Sequence, residues 1–336
     1  MPEYNLSASP DLDDAHWLPY DIDLVGGRLQ WLRCDEGLIF VSTCLDPRMP
    51  AQGRPQRLAP LGDVARLMPP PRGPSWVWHT SFCGSTLVAQ ALHLSPYSVA
   101  LREPLVLRRL SDAHESGLDI RPWVAPLVAL LARPWHPGGS VVVKPTHAAL
   151  NIAEAAMACA PGSRGLVLTS SLEDFLVSTL KKSPDTMARI PQLAARALQA
   201  GRLASRLTET ALRPPTILAA AAVQWCAQRD LISQLKAAVG ERLRVLDWSH
   251  IRGDLPAVLE DANRFLELGL PTDKLRAHVL TCSGVHAKSP TRPYGVLAAE
   301  EEQRALRKAY PQELDGALRW AEAHLLPAME YDALVR

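Results

Sequence analysis

The chain has 336 residues, with 36 Lys and Arg against 35 Asp and Glu. This balance argues against a general affinity for nucleic acid or for anionic membrane surfaces. We expect no membrane span, since no run of about 18 apolar residues occurs, and the polar, acidic N-terminus is unlike a secretory signal. The six cysteines are scattered and none has CxxC spacing. This pattern predicts reduced thiols, a cytoplasmic protein and no metal site.

Residues 1–70 predict a small β-rich N-terminal cap, which a Pro-rich connector, Leu67–Pro74, joins to the remaining residues, 71–336. The cap is too short to form more than a marginal core alone. Turn residues separate its three short strand-like pieces, which are Asp21–Leu24, Arg28–Leu32 and Leu38–Ser42.

From Ser75 onward, apolar runs that predict buried strands alternate with stretches that predict helices. The strand-like runs are Trp76–Trp78, Val141–Val143, Gly165–Leu168 and Leu243–Leu246. The helical stretches are Leu105–His114, Trp123–Ala132, His147–Cys159, Leu172–Lys182, Pro191–Thr208 and Ile217–Val239, with Leu255–Val335 mostly helical. Repeated strand–helix units predict an α/β/α fold of three layers around a mostly parallel sheet.

The polar turn after the strand Trp76–Trp78 is the most informative segment, because a strand that enters a helix through small residues can bind an anion with backbone N–H groups. Gly84 allows a phosphate to approach closely, and the hydroxyl groups of Ser85 and Thr86 can cap the helix or donate. The candidate binding residues are Thr80, Ser81, Phe82, Cys83, Gly84, Ser85 and Thr86. Between Trp76 and Leu101 there is no Lys or Arg, so the loop has no cation of its own.

Two other sites are excluded by residues of the same loop. Ser85 stands where a Walker A loop has its lysine, and no glycine lies five residues before Gly84, which argues against an ATPase or GTPase. Cys83 is followed six residues later by Ala89 instead of the arginine of cysteine phosphatases. We therefore interpret Cys83 as a small loop residue.

The residues Cys83 to Leu87, then Pro96 and Glu103, resemble the opening of sulfotransferase-family P-loop proteins. The similarity is closer to a bacterial branch with an HTxFCxSTLL loop and a following REP motif. It implies a P-loop fold in which the loop holds the 5′-phosphosulfate of PAPS (3′-phosphoadenosine 5′-phosphosulfate). It also implies that Glu103, 21 residues after Phe82, is an acidic base. The acceptor, a small molecule or a macromolecule, stays open.

The chain departs from that family at two cationic positions. Phe82 stands where the family has its loop Lys or Arg, and Ser170 replaces the arginine of an R-x7-S motif for the 3′-phosphate. Ser178 retains the serine of that motif. Candidate substitutes are Lys144 at a strand end, Arg102, Lys181 or Lys182, and the late-loop residues Lys288 and Arg292.

Several of these residues have a structural interpretation beside the functional one. Glu103 is either a base or the partner of Arg102 or Lys144, and His79 is either catalytic or a core histidine. Two functions follow: a PAPS-dependent sulfotransferase acting on a hydroxyl group, or a P-loop protein that binds a nucleotide or another anion without sulfating. Phe82 and Ser170 favour the second, whereas the retained Gly84, Glu103 and Lys144 favour the first, which we prefer.

Overall fold

The computed structural model of the protein describes residues 7–283, 285–286, 289–293 and 296–329, without side chains from 283 to 300. The N-terminal part contains β1 (Trp17–Asp23), β2 (Arg28–Arg33), α1 (Glu36–Val41) and β3 (Gln56–Pro60). The next elements along the chain are β4 (Ser75–His79), α2 (Ser85–Ala91), β5 (Ser98–Arg102), α3 (Leu105–Glu115) and α4 (Arg121–Leu131). Next come β6 (Ser140–Lys144), α5 (Ala153–Ala158), β7 (Gly165–Thr169), α6 (Leu172–Leu180), α7 (Pro184–Met187), α8 (Ile190–Ala200) and α9 (Glu209–Leu212).

The C-terminal part of the chain begins with a long helix, α10. The elements of this part are α10 (Ile217–Val239), β8 (Leu243–Asp247), α11 (Trp248–Gly253), α12 (Leu255–Leu266), α13 (Thr272–Ser283), β9 (Val285–His286), β10 (Ser289–Pro293), α14 (Val296–Ala309) and α15 (Pro311–His324). Short 3₁₀ helices occupy Leu61–Val64, His147–Ile152, Leu203–Arg206, Gly240–Arg242 and Leu326–Ala328. Among the described residues no helix is long and apolar enough to cross a membrane.

A five-stranded parallel sheet with the order β5-β6-β4-β7-β8 forms the centre of the fold. The residues of β5 and β7 are all buried, as expected for parallel strands that helices cover on both faces. The chain leaves β4 toward β5 on one side and later crosses to β7 and β8 on the other. Ligands bind at such a switch point, outside the carboxyl ends of the strands. The loop after β4 lies at this position.

The predicted fold class is confirmed, since apolar runs became β4, β6, β7 and β8 and helices cover the parallel sheet. The prediction missed β5, whose first and last residues, Ser98 and Arg102, are polar yet buried. A strand over Leu38–Ser42 was wrong. That segment is part of α1, because the Asp35 side chain accepts a hydrogen bond from the Leu38 N–H and caps the helix.

The N-terminal segment forms a three-stranded antiparallel sheet, β1-β2-β3, whose core is continuous with that of the parallel sheet. Trp31 and Leu32 belong to the same buried hydrophobic cluster as Trp76 and Trp78. Arg102, at the end of β5, is 2% exposed, and its guanidinium donates to the carbonyl oxygens of Ile39 (3.0 Å) and Phe40 (2.5 Å). Arg102 therefore fixes the end of α1 against the sheet, and its charge is directed away from the loop after β4.

We expect Arg102→Met to lower the free energy of unfolding by about 2–3 kcal/mol, because two buried carbonyl groups lose a charged donor. Urea denaturation measures this loss. The control is Arg28→Met, since Arg28 forms a half-exposed ion pair with Asp23 at 2.6 Å and its removal costs about 1 kcal/mol or less. Equal losses in the two variants would contradict the role assigned to Arg102.

Candidate anion-binding site

The loop between β4 and α2 presents backbone N–H groups that have no acceptor among the described residues. Phe82 (φ 62°) and Gly84 (φ 73°) both lie in the left-handed region, and turns of this kind form concavities that bind anions. The Thr80 N–H donates to the Leu168 carbonyl at 3.0 Å and ties the loop to β7. Within the described part of the chain, the N–H groups of Phe82, Gly84 and Thr86 make no hydrogen bond.

The side chains of the loop are mostly buried and pack against their neighbours. Ser81, Cys83, Ser85 and Thr86 are each less than one-tenth exposed. The Cys83 thiol donates to the Thr80 carbonyl at 3.0 Å, and burial raises its pKa to about 11. Cys83 is thus a protonated thiol at neutral pH, which agrees with its interpretation as a small loop residue.

The Trp248 indole packs directly on Gly84. A Cβ atom built on Gly84 would overlap the six-membered ring of Trp248. Trp248 is the first residue of α11 and follows the carboxyl end of β8. Trp248 is half-buried and packs against the hydrophobic core, and its position directly after a strand places it at the carboxyl edge of the sheet, where ligands bind in such folds.

Phe82 brings an aromatic ring, and next to it a cation, to the loop. Its ring contacts Phe175 of α6 edge-on, with 5.3 Å between centroids. The Lys182 ammonium lies 4.6 Å from the Phe82 ring centroid, within the range of a cation–π contact. The Lys182 ammonium therefore lies beside Phe82, the loop position at which the sequence has no Lys or Arg.

Glu103 and Lys144 form an ion pair at the carboxyl ends of neighbouring strands. Arg102 of β5 is in register with Lys144 of β6, so that Glu103 follows directly beside it. Lys144 Nζ donates to Glu103 Oε1 at 2.8 Å, and the Glu103 N–H donates to the Lys144 carbonyl at 2.5 Å. Lys144 is 1% exposed, whereas the Glu103 side chain is 20% exposed. The charge of Lys144 is thus balanced by Glu103, which itself stays accessible.

A further cation approaches Glu103 from the N-terminal segment. Arg48 Nη2 lies 3.9 Å from Glu103 Oε2, and the same guanidinium is held by Asp46 through Nε at 2.9 Å. No pattern in the sequence predicts this contact, because 55 positions of chain separate the two residues and the backbone hydrogen bonds of Leu45 with Arg102 and Leu105 bring them together.

His79, at the end of β4, is buried with both ring nitrogens facing carbonyl oxygens. Nδ1 lies 2.7 Å from the Thr80 oxygen and Nε2 lies 2.9 Å from the Pro145 oxygen. Two acceptors suit a protonated ring, but burial and the nearby Lys144 charge lower the pKa of His79 well below 6.5. Burying a charge costs several kcal/mol, more than the roughly 1.5–3 kcal/mol of one charged hydrogen bond. His79 is therefore neutral and holds the loop to the segment after β6.

The two serines of the predicted 3′-phosphate motif are Ser170, directly after β7, and Ser178, in α6. Ser170 is 1% exposed, and its hydroxyl has no hydrogen-bond partner among the described residues. Its carbonyl accepts from the Trp225 indole N–H at 3.0 Å, and the buried Arg229 guanidinium lies 5.5 Å from the Trp225 ring centroid. Ser178, in α6, is 8% exposed. The orphaned Ser170 hydroxyl is a free donor and acceptor beside the loop strand.

The other candidate cations are engaged elsewhere or lie outside the described residues. Lys181 forms an ion pair with Glu302 at 2.8 Å. Lys288 lies outside the described residues, and so does the side chain of Arg292. All six cysteines are free thiols. In the part of the chain that the structure describes, no three His, Cys, Asp or Glu side chains are grouped closely enough to hold a metal ion.

No protein-family model and no curated protein sequence matches the chain. Solved structures that it resembles include a sulfotransferase from Mycobacterium avium, at 13% identity and a TM-score of 0.41, covering 74% of this chain and 77% of that one. A sulfotransferase domain from the curacin biosynthetic pathway is 14% identical, with a TM-score of 0.40 and coverages of 76% and 98%. A sulfotransferase from Mycobacterium tuberculosis is 14% identical, with a TM-score of 0.33 and coverages of 73% and 76%. At these values the likeness carries no functional argument, and function depends on the geometry of the site.

Gly84→Ala tests the contact between the loop and Trp248. A Cβ atom at this left-handed position costs about 1–2 kcal/mol, and overlap with the Trp248 ring adds about 1–3 kcal/mol. The control is Gly27→Ala, at φ 62° with nothing within 4 Å of the added atom, which has the backbone cost alone. Urea denaturation of both variants, and of Gly84→Ala in a Trp248→Ala background, separates the two costs. Indistinguishable losses at Gly84 and Gly27 would refute the contact.

The neutral state of His79 predicts a pH dependence of stability. The pKa of His79 is depressed in the folded protein, so below about pH 6.5 the unfolded chain takes up a proton at this residue and the folded chain does not. The free energy of unfolding therefore decreases as the pH is lowered. The slope for one proton is at most about 1.4 kcal/mol per pH unit. We expect His79→Gln to lose less stability than the wild type between about pH 7.5 and pH 5, measured by urea denaturation. His93 titrates in both proteins, so its contribution cancels, and equal slopes would disprove the assignment.

Proposed function

We propose that the protein is a sulfotransferase that uses PAPS as donor and an acceptor hydroxyl group as substrate. The observation that carries this proposal is the proximity of two features at one edge of the sheet. The loop after β4 offers unpartnered N–H groups to an anion, and two strands away an accessible carboxylate, Glu103, is held by Lys144 at 2.8 Å. Sulfuryl transfer to a hydroxyl needs both an anion cradle and a proton acceptor.

The residues present fit PAPS at both of its phosphates. The loop N–H groups of Phe82, Gly84 and Thr86 suit the 5′-phosphosulfate. The Ser170 hydroxyl, buried and without a partner among the described residues, together with Ser178, suits the 3′-phosphate that the family resemblance assigns to these positions. When bound, PAPS supplies the sulfuryl group and a phosphate leaving group.

Glu103 takes the role of general base in this proposal. The acceptor oxygen forms a bond to sulfur while the bond between sulfur and the 5′-phosphate oxygen breaks, and the acceptor proton passes to a Glu103 carboxylate oxygen. Lys144 occupies Oε1 of Glu103 and Arg48 lies near Oε2, so these cations orient the carboxylate. The loop N–H groups stabilise charge that develops on the leaving phosphate.

Binding without transfer is a second candidate function, and the neutral residues at two cationic positions favour it. Phe82 and Ser170 carry no charge, and Lys144 is balanced by Glu103. A site of this kind holds an anion mainly through backbone dipoles. Transition-state stabilisation by a cation, in contrast, is often the largest catalytic contribution.

Isothermal titration calorimetry with adenosine 3′,5′-bisphosphate, the product left by PAPS, tests the proposed donor. We expect binding that ATP and GTP do not reproduce, because the loop lacks the Walker A lysine that β- and γ-phosphates require. No heat of binding at millimolar bisphosphate, with correctly folded protein, would refute the proposal. Glu154→Gln, an exposed carboxylate on α5, is the control that leaves affinity unchanged.

Glu103→Gln separates transfer from binding. We expect bisphosphate affinity to stay within a few-fold, while transfer of labelled sulfuryl groups from PAPS to a panel of hydroxyl acceptors falls by about 10²- to 10⁴-fold, as for loss of a general base. Because the single change leaves Lys144 buried without its counter-charge, Glu103→Gln with Lys144→Met serves as a second variant. Wild-type turnover in either folded variant would rule out Glu103 as the base.

A further inference from the structure

We propose that a small cavity between α8, α10 and the 3₁₀ helix His147–Ile152 binds one hydroxyl group of the acceptor, and that the acceptor is a neutral aliphatic polyol. This inference rests on the proposed function and names its substrate class. The cavity has a volume of about 20 Å³, which is enough for one water-sized group. A benzene ring requires a cavity on the order of 150 Å³, so an aromatic acceptor does not fit.

The cavity lies next to the carboxyl end of β6. Its wall includes His147, three residues after Lys144, and the His147 ring lies 6.2 Å from the His79 ring. Burial lowers the pKa of His79 most, and the charges of Lys144, Glu103 and His147 act on it as well. The cavity wall and the Glu103 carboxylate thus lie near the same ring. A linear molecule with several hydroxyl groups suits this arrangement, with one hydroxyl in the cavity and another at the carboxylate.

Gln228 gives the cavity a hydrogen-bond acceptor that lacks a donor. Gln228 lines the cavity, it is 2% exposed, and its Oε1 has no hydrogen-bond partner among the described residues. A buried oxygen in this state is costly unless a donor reaches it. Gln224, one turn earlier on α10 and 4% exposed, lines the same cavity. The Gln228 oxygen therefore favours a ligand group that donates a hydrogen bond, such as a hydroxyl.

The other polar side chains that face the cavity from α8 and the 3₁₀ helix have partners. Asn151 donates through Nδ2 to the Ser111 carbonyl at 3.1 Å, and its Oδ1 accepts from the Ser111 hydroxyl at 2.8 Å. Arg196 forms ion pairs with Asp112 and, at 2.8 Å, with Glu115. The charge of the wall is thus balanced. A charged ligand group would lose its hydration here without gaining a counter-charge, so the cavity selects a neutral one.

Saturation-transfer NMR on the full chain with sorbitol, a neutral polyol, tests the cavity without requiring turnover. We expect sorbitol to bind, and Gln228→Leu to weaken its binding by about 10-fold, as for loss of one hydrogen bond to a buried acceptor. The matched control is Gln199→Leu, at an exposed position of α8 outside the cavity, which is expected to bind within about two-fold of wild type.

Filling the cavity provides a second measurement that leaves Gln228 in place. Ala200 is an exposed residue of α8 that lines the cavity, so Ala200→Leu adds bulk at the wall without disturbing the core. We expect this variant to lose sorbitol binding, whereas Ala195→Leu, exposed on α8 and outside the cavity, retains it. Once transfer is measured, Gln228→Leu is expected to raise the KM for sorbitol about 10-fold and to leave kcat within a few-fold, because the contact is made equally in the ground state and the transition state.

The outcomes separate this inference from the proposed donor. No sorbitol binding by the wild type, an equal loss in Gln199→Leu, or undiminished binding in Ala200→Leu overturns the cavity assignment, whatever the bisphosphate titration shows. Transfer to phenols but not to sorbitol overturns the substrate class. If the chain binds sorbitol but not the bisphosphate, the donor proposal fails and the cavity is a polyol site without transfer.

Discussion

The ion pair between Lys144 and Glu103 is the constraint on which the arrangement of the site depends. A lysine that is 1% exposed at the end of a strand requires a counter-charge, since an unpaired buried ammonium costs several kcal/mol. The register of β5 with β6 delivers Glu103 to that position, in the left-handed conformation at φ 53°. Burial, and after it the charge of Lys144, lowers the pKa of His79 and keeps that ring neutral. The buried ion pair therefore sets the electrostatic surroundings at the carboxyl edge of the sheet.

Because Glu103 neutralises the charge of Lys144, Lys144 does not serve the loop after β4. The site is therefore divided into two electrostatic parts. On the β5–β6 side, the Lys144–Glu103 pair is neutral overall, and the Glu103 side chain is 20% exposed. On the β4–β7 side, the loop N–H groups and the Ser170 hydroxyl have no hydrogen-bond partner among the described residues. Under the proposed function, proton transfer and anion binding are thus assigned to different strands. The N-terminal segment contributes to the first part through Arg48.

Local patterns made the sheet predictable, whereas long-range charge balance was not predictable. Continuous apolar runs, such as Val141–Val143, identify strands that are buried on both faces. The strand Ser98–Arg102 was not predicted, because an arginine is normally expected on the surface. Arg102 can be buried here since its guanidinium donates to the carbonyls of Ile39 and Phe40, which are distant in sequence. For the site, the sequence predicted the anion loop and a lysine at the end of β6. The contacts of Trp248 with Gly84 and of Lys182 with Phe82 depend on how α11 and α6 pack, which no spacing encodes.

In the proposed transfer reaction, the neutral residues Phe82 and Ser170 bear on different steps. A cation on the 3′-phosphate would bind the donor equally in the ground state and the transition state, so its absence at Ser170 is expected to lower affinity and to leave the rate of the bound complex unchanged. A cation beside the 5′-phosphate meets charge that grows as the bond to sulfur breaks, and it acts on the rate itself. Under the proposed function, the neutral Phe82 therefore bears on the rate of transfer and the neutral Ser170 on donor affinity, so Phe82 is the position that decides between transfer and binding alone.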